Sequence, residues 1–124
     1  DPLWSRGLGD VYKRQSKGQD TYAPFGPCIV TADEIPDPQV LDLWLTVNGE
    51  KKQGSNTRHM LFKVPFLISD ISAGITLEPG DIIATGTPEG VGAGRKPQEW
   101  LWPGDVVVAC VEGIGTLRHP VVAV

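Results

Sequence analysis

"DLWLTVNGEKKQ", residues 42–53, decides how the rest of the chain is read. Leu43, Leu45 and Val47 alternate with Trp44 and Thr46, so the aliphatic side chains share one face of an extended strand. Asn48-Gly49 follows, a pair that accepts the two positive φ angles of a type I′ turn, and residues 50–53 then return alongside. The pattern predicts a β-hairpin.

Working outward, "FGPCIVT" (25–31) is a β-branched run behind a Gly-Pro turn and predicts a strand. "DEIPDPQ" (33–39), with two prolines and three acids, predicts a loop. In "VPFLISDISAG" (64–74) the period changes. Val64, Leu67, Ile68 and Ile71 follow helical spacing, Pro65 suits a first turn and Gly74 a C-terminal cap. "LEPGD" (77–81) turns the chain into "IIAT" (82–85), expected to be a buried strand. "LWPGD" (101–105) repeats that turn before the strand "VVVACV" (106–111), and one more tight turn leads into a last strand. Residues 1–15 carry neither period and read as an irregular leader, which leaves residues 16–124 as one domain. The fold class expected is mainly β (α+β): a twisted antiparallel β-roll or sandwich with one short helix.

The totals exclude several functions. Fifteen acids against 11 bases give a net charge of -4, and no basic cluster exceeds Lys51-Lys52. A nucleic-acid partner needs a concentrated basic face, so none is expected. No apolar run approaches the roughly 20 residues of a membrane span, so no membrane partner is expected either. Cys28 and Cys110 lie far apart in sequence, and two reduced thiols fit a cytoplasmic protein better than a disulfide framework. The chain begins at Asp1 and its sole methionine is Met60, which suggests a piece of a longer protein.

"IIATGTPEGVGAGRKP" (82–97) sets glycines at 86, 90, 92 and 94 directly after an apolar run. A phosphate loop of the Walker type needs Gly-Lys-Ser/Thr five positions after its first glycine, yet Val91 follows Gly86 and Arg95 follows Gly90 at that distance. The dinucleotide fingerprint fails as well, because Arg95 stands where its third glycine belongs. The segment that follows, with Pro97 and Pro103, has no helical period to offer an N-terminus to an anion. A plain glycine-rich connection explains Gly90, Gly92 and Gly94. "TGTP" (85–88) fits a small nest of N–H groups and a hydroxyl for a carboxylate or enolate oxygen. Spacing leaves both readings open.

"KGQDTYAPFGPCIVT", "DEIPDPQ", "LTVNGEKKQGSNT", "TLEPGDIIATGTPEGVG" and "PGDVVVACVEGIGTL" occur in this order, and from about Ser16 to Val124 the chain resembles the C-terminal catalytic domain of the fumarylacetoacetate hydrolase family. The resemblance implies a β-roll fold, a divalent Mg²⁺ or Mn²⁺ ion and a homodimer. It implies 2-oxo or 1,3-dicarbonyl acids as substrates, of the acylpyruvate or diketo sugar-acid type, cleaved at a C–C bond through a metal-stabilised enolate.

Matched position by position, the resemblance puts Gly86 N–H and Thr87 Oγ on a substrate carboxylate or carbonyl oxygen, and Lys17 near the metal and the enolate. Asp20 closes the same lysine pattern, although Ser16 and Gln19 depart from it. The family's metal carboxylates belong upstream of this lysine. The 16 residues before Lys17 offer only Asp1 and Asp10, so no metal ligand is expected in this chain.

Other polar residues have plainer expectations. Arg58, ahead of the helix, is a candidate substrate contact; His59 and His119 read as surface or edge histidines, not zinc ligands. Glu89 could act as a base, but its Pro and Gly neighbours suit a solvated turn. Asp81 and Asp105 should cap their own turns. Trp44, Trp100 and Trp102 are expected at packing or dimer surfaces. Two functions follow: a fragment of a metal-dependent hydrolase or lyase, weak or inactive by itself, or a non-catalytic carboxylate-binding or assembly module.

Overall fold

A computed structural model describes residues 20–123. Strand β1 (Asp42–Val47) and strand β2 (Glu50–Asn56) form the expected hairpin. Asn48 and Gly49 take φ of 51° and 83°, the two positive angles the turn requires. Strands β3 (Val106–Val111) and β4 (Gly115–Pro120) form a second antiparallel pair, and β3 joins β1 to give one sheet ordered β2-β1-β3-β4. Helix α1 (Val64–Ser72) forms where the sequence period placed it, with Val64, Leu67 and Ile71 on its less exposed side, whereas Ile68, read with them, is 44% exposed.

Register puts the apolar residues together. Leu43, Leu45 and Val47 pair with Val111, Ala109 and Val107, so their side chains share one face with Leu117 of β4. Val107, opposite Val47 at the end of β1, is 5% exposed and is the one buried apolar residue among the described residues. Between Leu45 and Thr46 the β1–β2 register slips by one residue: Leu45 faces Gln53 whereas Thr46 faces Lys51. Lys52 is thus the extra residue of a bulge, a local bend that re-aims neighbouring side chains.

The two β-branched runs at 28–31 and 82–85 form no strand. Ile29 is 78% exposed and Ile82 is 70% exposed, and neither run enters the ladder of any described strand. After the first, the chain folds back at once, with Glu34 and Ile35 amides donating to the Thr31 carbonyl. β propensity measures fit to neighbouring strands, and here no described strand stands beside these residues. Gly74 also differs from expectation. The C-cap is Ala73 in right-handed conformation, and Gly74 is not among the positive-φ residues.

Candidate functional site

The loop that follows residues 82–85 runs over the apolar face of the sheet. Gly86 has φ of 103°, a conformation that side chains oppose, and a Cβ there would meet nothing within 4 Å. Its glycine is required by backbone angle alone. Gly90 is required by contact as well, because a Cβ would strike the Lys52 carbonyl oxygen at the β2 bulge. The bulge therefore seats the loop.

Two side chains hold it there. Gln53 Nε2 donates to Thr87 Oγ at 3.0 Å and to the carbonyl oxygens of Pro88 and Glu89 at 2.7 and 3.3 Å. Arg95 donates from Nε to the Gly90 carbonyl at 3.1 Å and from a terminal nitrogen to the Lys52 carbonyl at 2.5 Å. Glu99 reinforces this side, bonded to Lys52 at 2.8 Å and 3.6 Å from Arg95, while Lys52 also meets Glu50 at 2.8 Å. Hydrogen bonds to Glu50 and then Glu99 raise the Lys52 pKa, and Lys52 in turn lowers that of Glu99. Both groups stay charged across the neutral range.

Thr87 stands at the edge of a cleft of about 410 Å³, between the loop and the sheet. Leu43 and Ser55 form its floor, the 3₁₀ turn Thr57–His59 with Met60 one wall, and Leu67 of α1 the far side. Its polar lining residues are Ser55, Asn56, Thr57, His59, Thr85 and Thr87. Ser55 Oγ and His59 Nδ1 lie 3.5 Å apart, and Thr87 lines the same cleft. No amide of Gly86 or Thr87 donates to another described residue.

The opposite wall is built without strain on polar groups. Asn56, 7% exposed, donates to the Val40 carbonyl at 3.1 Å and Asp42 at 2.6 Å, and accepts from the Arg58 amide at 2.9 Å. Gln39 bridges the 3₁₀ turn to the helix, donating to the Thr57 carbonyl at 3.0 Å and accepting from the Val64 amide at 2.6 Å. That contact satisfies one of the orphan donors at the start of α1.

Of the residues singled out by sequence, Gly86 and Thr87 lie together at the cleft. Arg58 is exposed and is not among the lining residues; its neighbour His59 is. Lys17 lies outside the described residues, and Asp20 is exposed at their edge. Glu89 is exposed and meets Gln53 through its backbone. His119 pairs with Val107 across β3–β4, and its Nδ1 is buried without a partner among the described residues. Asp81 and Asp105 each accept the amide of the residue three places earlier, closing their own turns as expected. Trp44, Trp100 and Trp102 are all exposed. Gln53 and Arg95 carried no functional signal in the sequence.

A divalent ion needs several converging oxygen or nitrogen donors. Among the described residues no group of three or more His, Cys, Asp and Glu side chains converges. The described residues therefore do not fit the metal that the resemblance implies.

The comparisons with known proteins agree with this architecture. The model of the fumarylacetoacetate (FAA) hydrolase C-terminal family matches residues 7–122, and the chain belongs to that family. The 2,4-didehydro-3-deoxy-L-rhamnonate hydrolase of Sphingomonas sp. (strain SKA58) is 50% identical over 119 residues, covering 95% of this chain and 39% of that protein. The chain thus spans less than two-fifths of the curated relatives it matches. Among solved structures, the fumarylacetoacetate hydrolase of Exiguobacterium antarcticum superimposes with a TM-score of 0.87 at 44% identity, over 96% of this chain and 43% of that one. The maleylpyruvate hydrolase of Sphingobium sp. SYK-6, in complex with manganese (II) ion and pyruvate, superimposes with a TM-score of 0.76 at 44% identity, over 83% and 36%. The four-stranded antiparallel sheet with one helix is the twisted-sheet architecture of these hydrolases.

Proposed function

We propose that this chain supplies the oxo-acid-holding part of a hydrolase or lyase that cleaves a C–C bond in 2-oxo or 1,3-dicarbonyl acids of the acylpyruvate or diketo sugar-acid type. The observation that carries this reading is the loop at residues 85–88. It presents one hydroxyl and two amides that donate to no other described residue, at the rim of a cleft. Such a cluster suits the carboxylate and enolate oxygens of a small acid, where negative charge collects. Family membership and the pyruvate complex of the maleylpyruvate hydrolase support the same substrate class.

In this reading water adds to the remote carbonyl, and the C–C bond breaks toward the 2-oxo acid. The released electron pair then rests on the enolate until a proton is taken up. Gly86 and Thr87 hold the developing oxyanion, and Lys17 neutralises it. Arg58 is a further candidate contact at the substrate's outer end. Mg²⁺ or Mn²⁺ would serve as Lewis acid, held by carboxylates upstream of this chain in the longer protein that this reading implies. The homodimer and the cytoplasmic setting belong to the same proposal.

The test is cleavage of an acylpyruvate, followed as pyruvate release, by a protein carrying this chain at the length of its curated relatives with Mn²⁺ supplied. Thr87→Ala lowers turnover roughly 100-fold, the usual cost of one oxyanion donor. Unchanged turnover would exclude Thr87 from the site.

A further inference from the structure

Gln53 is a half-buried amide on the bulged strand, 34 residues from the loop it contacts. Its three partners define its orientation. Carbonyl oxygens only accept hydrogen bonds, so the atom facing Pro88 O and Glu89 O must be the amide nitrogen. That same nitrogen faces Thr87 Oγ, which therefore acts as acceptor on this side. A hydroxyl has one proton. With its oxygen receiving from Gln53, the Thr87 proton is left to point elsewhere, and the cleft that Thr87 lines is open to it.

We propose that Gln53 is a positioning residue that fixes the polarity of Thr87, making its hydroxyl a donor toward the cleft and so favouring an anionic oxygen over a group that can only donate. The proposal rests on the role of Thr87 given above and adds the residue that sets its direction. Two further features place Gln53 for this task. The Lys52 bulge re-registers β2 next to it, and Gly90 lets the loop backbone close onto the Lys52 carbonyl. Arg95 spans the same two segments from the other end, so the loop is pinned on either side of its turn.

The consequence is a preference in ligand chemistry. A carboxylate or enolate oxygen accepts from the two amides and the hydroxyl together. An ammonium or amide nitrogen, which only donates, would confront three donors at the same point, and an alcohol oxygen would accept from them without the charge that strengthens the bonds.

The experiment pairs a ligand-free measurement with a binding one, on the full chain. Gln53→Glu keeps the shape of the side chain but at neutral pH offers only acceptors to Pro88 O, Glu89 O and Thr87 Oγ. Gln53→Met keeps the length without donors or charge, and carries the test if the glutamate variant fails to fold. Backbone ¹⁵N relaxation without ligand is expected to show residues 86–90 rigid in the parent chain and mobile in both variants, with the β1–β3 signals unchanged. Pyruvate titration is expected to weaken roughly ten-fold in Gln53→Met, the loss of about one well-made hydrogen bond, and further in Gln53→Glu. The Gln53 side-chain amide signals should also shift as pyruvate saturates the parent chain, which a purely structural contact would not require. Loop rigidity and pyruvate affinity equal to the parent in Gln53→Met would overturn the assignment. If the parent chain takes up no pyruvate, the proposed substrate class fails. The relaxation data alone then decide the role of Gln53, with a rigid variant loop overturning it.

Discussion

The chain makes one turn twice. Glu78-Pro79-Gly80-Asp81 and Trp102-Pro103-Gly104-Asp105 have glycine φ angles of 102° and 99°. In each, the aspartate carboxylate accepts the amide of the first residue, at 2.8 and 2.7 Å. In each, the aspartate amide donates back to that residue's carbonyl, at 3.1 and 3.0 Å. The outcomes differ. After Asp105 the chain enters β3, paired on both sides; after Asp81 it runs unpaired through residues 82–85 to the Thr-Gly loop.

The difference lies in the neighbours. Asp105 also accepts from Asn48 Nδ2 at 2.8 Å, and its carbonyl accepts the Val121 amide at 2.8 Å. Asn48 further accepts the Val106 amide on its side-chain oxygen at 2.9 Å. The second turn is therefore bolted to the β1–β2 turn and to the end of β4 before the strand begins. The first has no comparable contact among the described residues. A turn sets direction, and pairing decides whether a strand follows. Beyond that unpaired run, the Gly86 and Thr87 amides donate to no other described residue.

Breaking the bolt should have the largest effect. Asn48→Ala removes hydrogen bonds on both sides and places alanine at φ of 51°. A loss of about 2 kcal/mol is expected in denaturant unfolding. Next, Gly104→Ala and Gly80→Ala each force a side chain into a positive-φ position, at about 1 kcal/mol of local strain. At Gly104 that loss should appear in global unfolding, whereas Gly80→Ala should leave global unfolding nearly unmoved and instead weaken pyruvate binding. Equal effects on global unfolding would erase the distinction between the two turns.

The smallest effect concerns charge. The Trp102 amide and then the Asn48 side chain hold the Asp105 carboxyl below its ordinary value. A depressed pKa adds stability above the usual carboxylate range, and that stability fades as pH falls through the lowered value. Asp105→Asn should therefore be less stable than the parent at pH 7, with the gap closing in acid. A gap that stays constant with pH would remove the ionic part of this contact.

The same contrast explains what the sequence made legible. The β1–β2 hairpin, α1, β3 and β4 carry their own period and turn chemistry, so residues 42–56, 64–72 and 106–120 could be read locally. Residues 28–31 and 82–85 have equally good strand composition, but their fate depends on partners distant in sequence. The site divides in the same way. Thr87 and Gly86 stand out because the Thr-Gly-Thr-Pro loop matches the family's pattern, whereas its spacing alone left a plain connection equally open. Gln53 does not, because its role needs a bulge at Lys52 and a reach to a loop 34 residues away. Only the folded register shows either.

The central claim is that the loop at residues 85–88 binds an oxo-acid oxygen and is not merely a connection. The most direct measurement is a ¹H–¹⁵N spectrum of the chain titrated with pyruvate. The account predicts saturable downfield shifts of the Gly86 and Thr87 amides, with Ser55 and His59 moving less. Amides at 86 and 87 that stay fixed while pyruvate saturates the chain elsewhere would contradict it.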